Sequence, residues 1–316
     1  MKIYREINSF RDVRQPVLTT GTFDGVHLGH KKIINRLLEL AQATDGESVV
    51  LTFDPHPRMV LYPDDDSLRL LSTLDEKIEL LAQAGVQHLI IYPFTKEFSR
   101  LSSLDFVRNI LVNQIHTRKL VIGYNHHFGR NREGSFEHLK EFGPLYGFDV
   151  EEIPAQDVDH IEVSSTKIRA ALQSGQVDTA NLYLGHRYSL DGTVVKGKQL
   201  GRTLGFPTAN LETGNPFKLI PSDGIYAVYG EWKGTRYEGM MSIGMNPTVA
   251  GKQRTIEVNL LNFDQDIYGE TLRVLFVKKM RDEQKFAGLD ELRLQLHKDK
   301  EEAQRIFRDQ ARLLPT

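Results

Sequence analysis

Apolar and polar positions along the chain follow two successive regimes. From residue 17 to residue 153, short apolar runs alternate with amphipathic stretches. Val17-Leu-Thr-Thr, Ser48-Val-Val-Leu-Thr-Phe53, His88-Leu-Ile-Ile-Tyr92, Lys119-Leu-Val-Ile-Gly123 and Phe148-Asp-Val-Glu-Glu-Ile153 read as strands. Between them, residues 31–42, 75–84, 104–113 and 135–146 space apolar positions by three and four, the pattern of helices lying over a sheet. This strand-helix series predicts an α/β unit with a doubly wound parallel sheet. After a helical pair over residues 166–184 the pattern changes to short alternating strands separated by Gly, Asn and Pro, including Gly224-Ile-Tyr-Ala-Val-Tyr, Ile256-Glu-Val-Asn-Leu-Leu and Leu272-Arg-Val-Leu-Phe-Val. That half is predicted all-β, an antiparallel barrel or sandwich, closed by a charged, helically periodic segment over residues 290–314. The change of regime puts the boundary near His186, with domains 1–186 and 187–316. A chain of 316 residues is long enough for two cores.

The polar motifs of the first half fall in one kind of place. Gly21-Thr-Phe-Asp-Gly-Val-His27-Leu-Gly-His30 follows the first strand, Phe53-Asp54-Pro-His-Pro57 the second and Gly123-Tyr-Asn125-His-His-Phe-Gly129 the fourth, while Val163-Ser164-Ser165-Thr166-Lys-Ile-Arg169 follows the fifth. Ligands of open α/β sheets bind beyond the carboxyl ends of strands, so these segments are expected to converge.

Charge and cysteine content narrow the partners. Lys plus Arg number 40 against 42 Asp plus Glu, and a net charge of -2 argues against nucleic acid or an anionic membrane as the main partner. The absence of cysteine excludes disulfides, thiolate metal sites and cysteine nucleophiles, and fits a cytoplasmic protein. No apolar leader opens the chain and no segment offers the run of about 20 apolar residues that spans a bilayer. Small anionic ligands need only local positive charge.

His27 and His30 stand three apart at the expected start of a helix, so both imidazoles can face its first turn, where unpaired amides and the helix dipole favour a phosphate. Gly21, Gly25 and Gly29 let backbone approach a ligand, and Asp24 is placed either to orient the loop or to help hold Mg²⁺. A zinc site is the weaker reading, since there is no cysteine and no His-Glu-x-x-His. Ser164, Ser165 and Thr166 supply hydroxyls ahead of Lys167 and Arg169; alone they also fit a plain N-cap with a solvated basic face.

In the second half, Gly192-Thr-Val-Val-Lys-Gly197-Lys198-Gln199 falls short of a P-loop, because Gln199 stands where the Mg²⁺-binding Ser or Thr belongs and no long helix is expected next. Its glycines, with Gly201 and Gly205, can still cradle phosphates on backbone amides. Pro207-Thr208-Ala-Asn210 offers two oxygen ligands suited to Mg²⁺ on one side of an extended segment, or else a turn. Glu257 is the candidate base, a carboxylate in an otherwise uncharged strand, with an outward-facing strand residue as its alternative.

The motifs of the first half, together with Gly201-Arg-Thr-Leu-Gly205-Phe-Pro-Thr208-Ala-Asn210-Leu, Gly224-Ile-Tyr, Ile256-Glu257-Val and Arg281-Asp-Glu-Gln-Lys-Phe286, resemble the bifunctional riboflavin kinase/FAD synthetases of bacteria over nearly the whole chain. The resemblance implies that the amino-terminal, Rossmann-like nucleotidyltransferase domain joins FMN to the AMP of ATP, giving FAD and pyrophosphate. It also implies that a six-stranded carboxyl-terminal barrel with a terminal helix phosphorylates riboflavin to FMN. By the same resemblance, Gly21, Phe23, Asp24, Gly25, His27 and His30, with Asn125, Ser164, Ser165, Thr166 and Arg169, would bind ATP for adenylylation. Asp54, Pro57 and Arg58 would lie by the flavin phosphate; His126 departs from the family's pattern. In the kinase half, Gly197, Lys198, Gly201, Gly205, Pro207, Thr208 and Asn210 would bind ATP, with Thr208 and Asn210 on Mg²⁺, Glu257 as base, and Arg281 and Phe286 in a flavin-side segment. A flavin-binding protein without chemistry, and a different adenylyltransferase fused to an unrelated β module, are the rival readings.

Overall fold

The runs read as strands pair side by side in register. The first half contains β1 (Lys2–Tyr4), β2 (Val17–Thr20), α1 (Leu28–Ala43), β3 (Ser48–Asp54), α2 (Pro57–Leu61), α3 (Leu74–Gln83), β4 (His88–Pro93), α4 (Ser103–Asp105), β5 (Lys119–Gly123), α5 (Phe136–Tyr146) and β6 (Asp149–Ile153). α4 widens directly into π-helical turns over Phe106–Val112. The structure, a computed structural model, describes residues 1–124, 127–153, 163–197, 200–248 and 251–313. All six strands lie parallel in the order β1-β4-β3-β2-β5-β6. β1 escaped the periodicity because three residues at an exposed edge carry no alternation.

Both faces of this sheet are covered, and the sequence shows why. Val17, Val50, Leu89, Ile91 and Val121 point into one core with Ile34, Leu37 and Leu40 of α1 and Leu81 of α3. Their neighbours Leu18, Val49, Leu51, Ile90, Leu120 and Ile122 point into the other, against Val107, Ile110 and Leu111 of the π-helical turns and Leu139 of α5. A strand buried on both faces reads as a continuous apolar run, as these do. The chain runs from β2 outward through β3 to β4, then returns to place β5 on the opposite side of β2. The crevice at that reversal, beyond the carboxyl ends of β2 and β5, is where such sheets bind ligands.

The second half comprises α6 (Ser165–Gln173), α7 (Val177–Leu184), β7 (Ser189–Val195), α8 (Leu200–Thr203), β8 (Ala209–Glu212), β9 (Gly224–Trp232), β10 (Thr235–Thr248), β11 (Gly251–Leu260), β12 (Thr271–Arg281) and α9 (Leu289–Leu313). Its strands close an antiparallel barrel in the order β10-β11-β8-β7-β12-β9, the six-stranded barrel that the resemblance implies. Tyr188, Tyr226 and Phe276 are almost wholly buried, with Tyr226 edge-on to Phe276 at 5.3 Å. Ala303, Ile306 and Phe307 of α9 pack over Ala227, Met240 and Val277 on the barrel wall.

By its internal contacts the chain divides into the compact units Met1–Ser165 and Thr166–Thr316. The helical pair belongs with the barrel. The Asn181 amide donates to the Phe276 carbonyl at 2.9 Å while its oxygen accepts from Tyr188 N at 2.7 Å, and Ser222 N donates to the Leu172 carbonyl at 3.1 Å.

Candidate active sites

In the amino-terminal unit, residues 21–27 run from the end of β2 to the start of α1 through a tightly wound loop. Phe23 and Val26 are left-handed with φ of 47° and 38°, and Gly25 has φ of 81°. A β-branched residue in that region is strained, and the loop is held there by contacts on several sides. The buried Asp24 carboxylate accepts from Leu71 N at 2.9 Å and Ser72 N at 3.1 Å, while Gly25 N donates to Ser72 Oγ at 2.9 Å. Thr52 Oγ1 donates to the Thr22 carbonyl at 3.2 Å, and Ser165 Oγ to the Asp24 carbonyl at 3.2 Å. Of the two roles open to Asp24 in the sequence, the structure displays loop orientation.

The loop delivers two stacked imidazoles to the head of α1. His27 is the N-cap, its Nδ1 accepting from His30 N at 3.4 Å, which leaves Nε2 as the protonated nitrogen of the neutral ring. The His27 and His30 rings stack at 3.7 Å with 16° between planes, and Phe23 lies against His30 at 5.2 Å. The first intrahelical bond runs from Lys31 N to the His27 carbonyl, so the amides of Leu28 and Gly29 stand ahead of it. Burial holds the His30 pKa well below the ordinary imidazole range, and the neighbouring His27 and Lys77 charges push it the same way. His30 Nδ1 and Thr20 Oγ1 are buried polar atoms without hydrogen-bond partners among the described residues.

Around this helix head the sheet brings together most of the segments expected there. Asp54 ends β3, exposed, joined to Pro55 by a cis peptide bond. His56 caps α2 by accepting from Arg58 N at 3.2 Å, Pro57 is its first residue, and the exposed Arg58 pairs with Asp65 at 2.7 Å. Gly123 ends β5. Ser164 is exposed and Ser165 half-buried. Thr166, exposed, and Arg169, half-buried, are in the other compact unit, on α6. Asn125 lies outside the described residues.

In the barrel, the expected residues meet across two strands. Glu257 of β11 is the register partner of Asn210 of β8, and Thr208 Oγ1, just before β8, donates to Glu257 Oε2 at 3.1 Å. All three are half-buried. A side chain at Gly197 would collide with the Asn210 amide, so glycine leaves the amide this room. Gly205 has φ of 84°, and a Cβ on Gly201 would collide with the Phe206 carbonyl. These glycines fold the short α8 turn back on residues 206–208, the exposed Pro207 among them. Lys198 lies outside the described residues.

Two residues missed in the sequence hold expected ones in place. Asn259 follows Glu257 by two on β11, hence on the same face, and its amide donates to the Pro207 carbonyl at 2.7 Å. Asp299 of α9, buried, takes the Arg281 guanidinium in a bidentate pair at 2.7 and 2.8 Å. Arg281 also lies 5.9 Å from the half-buried Phe286 ring, so those two expected flavin-side residues are in contact. The period-two alternation pointed to Asn259; nothing local marked Asp299 among the acidic residues of α9.

Comparison with known proteins agrees with both halves. The family model described as FAD synthetase matches residues 10–167, and the one described as riboflavin kinase matches residues 184–307. The bifunctional riboflavin kinase/FMN adenylyltransferase of Escherichia coli (strain K12) is 36% identical over 310 residues, covering 97% of this chain and 98% of its own. That of Bacillus subtilis (strain 168) is 37% identical over 296 residues, 92% of each chain. A crystal structure described as a macrolide-efflux protein from Streptococcus pneumoniae superposes with a TM-score of 0.85 at 30% identity, covering 96% of this chain and 98% of that one. Among the described residues no helix is long and apolar enough to cross a membrane. With a parallel sheet bearing the His27/His30 helix head and a closed barrel joining Thr208, Asn210 and Glu257, the chain belongs to the family of bifunctional riboflavin kinase/FMN adenylyltransferases.

Proposed function

We infer that this chain performs two consecutive ATP-dependent steps, riboflavin to FMN in the barrel and FMN to FAD on the parallel sheet. The observation that carries the reading is the meeting of Thr208, Asn210 and Glu257 where β8 pairs with β11, within a chain that matches both family models. In the first step Glu257 takes the proton of the riboflavin 5′-hydroxyl, that oxygen bonds to the γ-phosphorus of ATP, and ADP leaves. In the second, a phosphate oxygen of FMN bonds to the α-phosphorus of ATP while the α–β bridging bond breaks and pyrophosphate departs. Neither step needs a covalent enzyme intermediate, so catalysis rests on positioning and charge stabilisation.

The residues fit magnesium in the barrel. Thr208 Oγ1 and the Asn210 side-chain oxygen are hard donors, and Thr208 keeps lone pairs for a cation while its hydrogen goes to Glu257. Mg²⁺ there would neutralise phosphate charge, with ATP and water completing its shell. On the sheet, His27 presents Nε2–H and His30 a neutral ring to the phosphates, beside the helix amides. Ser164, Ser165 and Asn125 belong to the ATP site in this reading, and Asp54, Pro57 and Arg58 to the flavin-phosphate side. A cytoplasmic site of action matches the ATP requirement of both steps.

The test is a time course with purified protein, riboflavin, ATP and Mg²⁺, resolving riboflavin, FMN and FAD chromatographically. FMN should appear first and FAD second. Protein that binds flavin and converts none of it would instead be a flavin-binding protein that has lost its chemistry.

A further inference from the structure

Lys77 is a cation where a lysine is rarely placed. It lies in the first turns of α3, only 6% exposed, on the stripe that also carries Leu74, Ile78 and Leu81. Its ammonium reaches Thr52 Oγ1 at 3.5 Å, a long contact to a neutral group, and no ion pair joins it to any described acidic residue. Asp24 and Asp54 act on it only from a distance, and burial outweighs them, lowering its pKa. A buried charge without a close counter-ion is costly and is retained where something else uses it.

Its position indicates what that is. Thr52, the hydroxyl that Lys77 approaches, donates to the Thr22 carbonyl of the loop leading to His27. α3 is anchored to the same loop, since Asp24 binds the amides of Leu71 and Ser72, and the adjoining Thr73 and Glu76 form a reciprocal capping box. Lys77 therefore stands below the loop, close enough for its charge to act on His30, whose Nδ1 is itself buried and unpaired among the described residues. Several features that favour an anion, the head of α1, two imidazoles and this ammonium, share one corner of the sheet.

We propose that Lys77 is the buried counter-ion of a substrate phosphate in the adenylyl-transfer reaction, meeting a phosphate oxygen from the sheet side of the His27/His30 pair. Both the ATP triphosphate and the flavin phosphate offer that chemistry. The proposal rests on the two-step reading above, and FAD formation by the unaltered chain checks that reading separately. A charge-assisted contact of this kind is worth about 10- to 100-fold in binding or rate.

The test uses the full chain carrying K77M, which keeps the length and apolar stem of the side chain and removes the charge. Adenylylation of supplied FMN is measured together with binding of a non-hydrolysable ATP analogue, binding of FMN, and the thermal midpoint. FAD formation should fall 10- to 100-fold in kcat/KM while riboflavin phosphorylation stays within twofold. The thermal midpoint should hold or rise, because an uncompensated buried charge has been removed. Weaker binding of the ATP analogue alone assigns the contact to the triphosphate; weaker binding of FMN alone assigns it to the flavin phosphate. A fall in kcat alone places it on oxygens that gain charge during transfer. K77R, which keeps the charge, should recover most of the activity. An unaltered chain that makes FAD alongside a K77M variant that makes it equally well would overturn the inference, as would a marked fall in thermal midpoint, the mark of a structural ammonium.

Discussion

Thr208 Oγ1 donates to Glu257 Oε2 across 3.1 Å, and Asn210 sits opposite Glu257 in register. The hydrogen bond aims the carboxylate, and in the proposed reaction its other oxygen takes the proton. Replacing Glu257 with Gln keeps the shape and removes the base, so riboflavin phosphorylation should fall by about 10²- to 10⁴-fold. FAD formation from supplied FMN should stay within twofold, because that chemistry belongs to the other unit. Product analysis with each flavin supplied separately checks this, and loss of both activities in folded E257Q would refute the division of labour.

How much of this was legible in the sequence differs between the halves for physical reasons. Strands buried on both faces, such as residues 48–53, appear as unbroken apolar runs, and every strand so read is present. β8, which carries Asn210, is four residues with a mixed burial pattern, too short to display a period. The apolar spacing of α1 shows only from residue 31, and it is the His27/His30 motif that marks the helix start, where His27 caps Leu28. Residues in recognisable motifs, His27, His30, Thr208 and Glu257, stand out directly as candidates. Their supports do not, because Ser72, Thr52 and Asp299 act through contacts that fold distant segments together. Lys77 left a trace as a charge on an apolar helical stripe.

Asp24 belongs to the loop that presents His27, and its carboxylate satisfies two buried amides of residues 71 and 72. D24A removes the acceptor from both amides and frees a backbone already strained at Phe23 and Val26. The amino-terminal unit should lose about 3 kcal/mol of stability, and FAD formation should fall with it. Urea unfolding alongside a riboflavin phosphorylation assay distinguishes this from general damage: the kinase activity is expected to persist, and an unchanged unfolding midpoint would contradict the assignment of Asp24 to loop support.

The Arg281–Asp299 pair ties the end of β12 to α9, with Asp299 only 4% exposed and also accepting from Gln295 at 2.9 Å. Removing one partner of a buried pair strands the other charge, so D299A should destabilise the barrel unit by about 3–5 kcal/mol. Replacing both partners in R281M/D299L should recover most of that loss. If the double variant is stable yet phosphorylates riboflavin poorly, Arg281 serves the flavin in addition to the fold. Calorimetric unfolding of the three proteins with kinetics at saturating ATP separates the two contributions.

His30 gives the amino-terminal unit a dependence on acidity. Its pKa in the folded protein lies well below the ordinary value of 6.5, chiefly through burial, so between those two pH values the unfolded chain binds a proton that the folded chain does not. Stability therefore rises with pH through that window and is lost as pH falls below about 6.5, at up to about 1.4 kcal/mol per pH unit for one proton. H30N carries no titrating ring and should lack this component. Urea unfolding of the amino-terminal unit in both proteins from neutral pH to pH 5 reads it directly, because other titrating groups cancel in the difference. Above pH 7 the difference should be flat; below 6.5 it should move in favour of H30N. A difference that stays constant across the whole range would mean that His30 takes up its proton in the folded protein as readily as in the unfolded chain, and that it meets the phosphates as a cation.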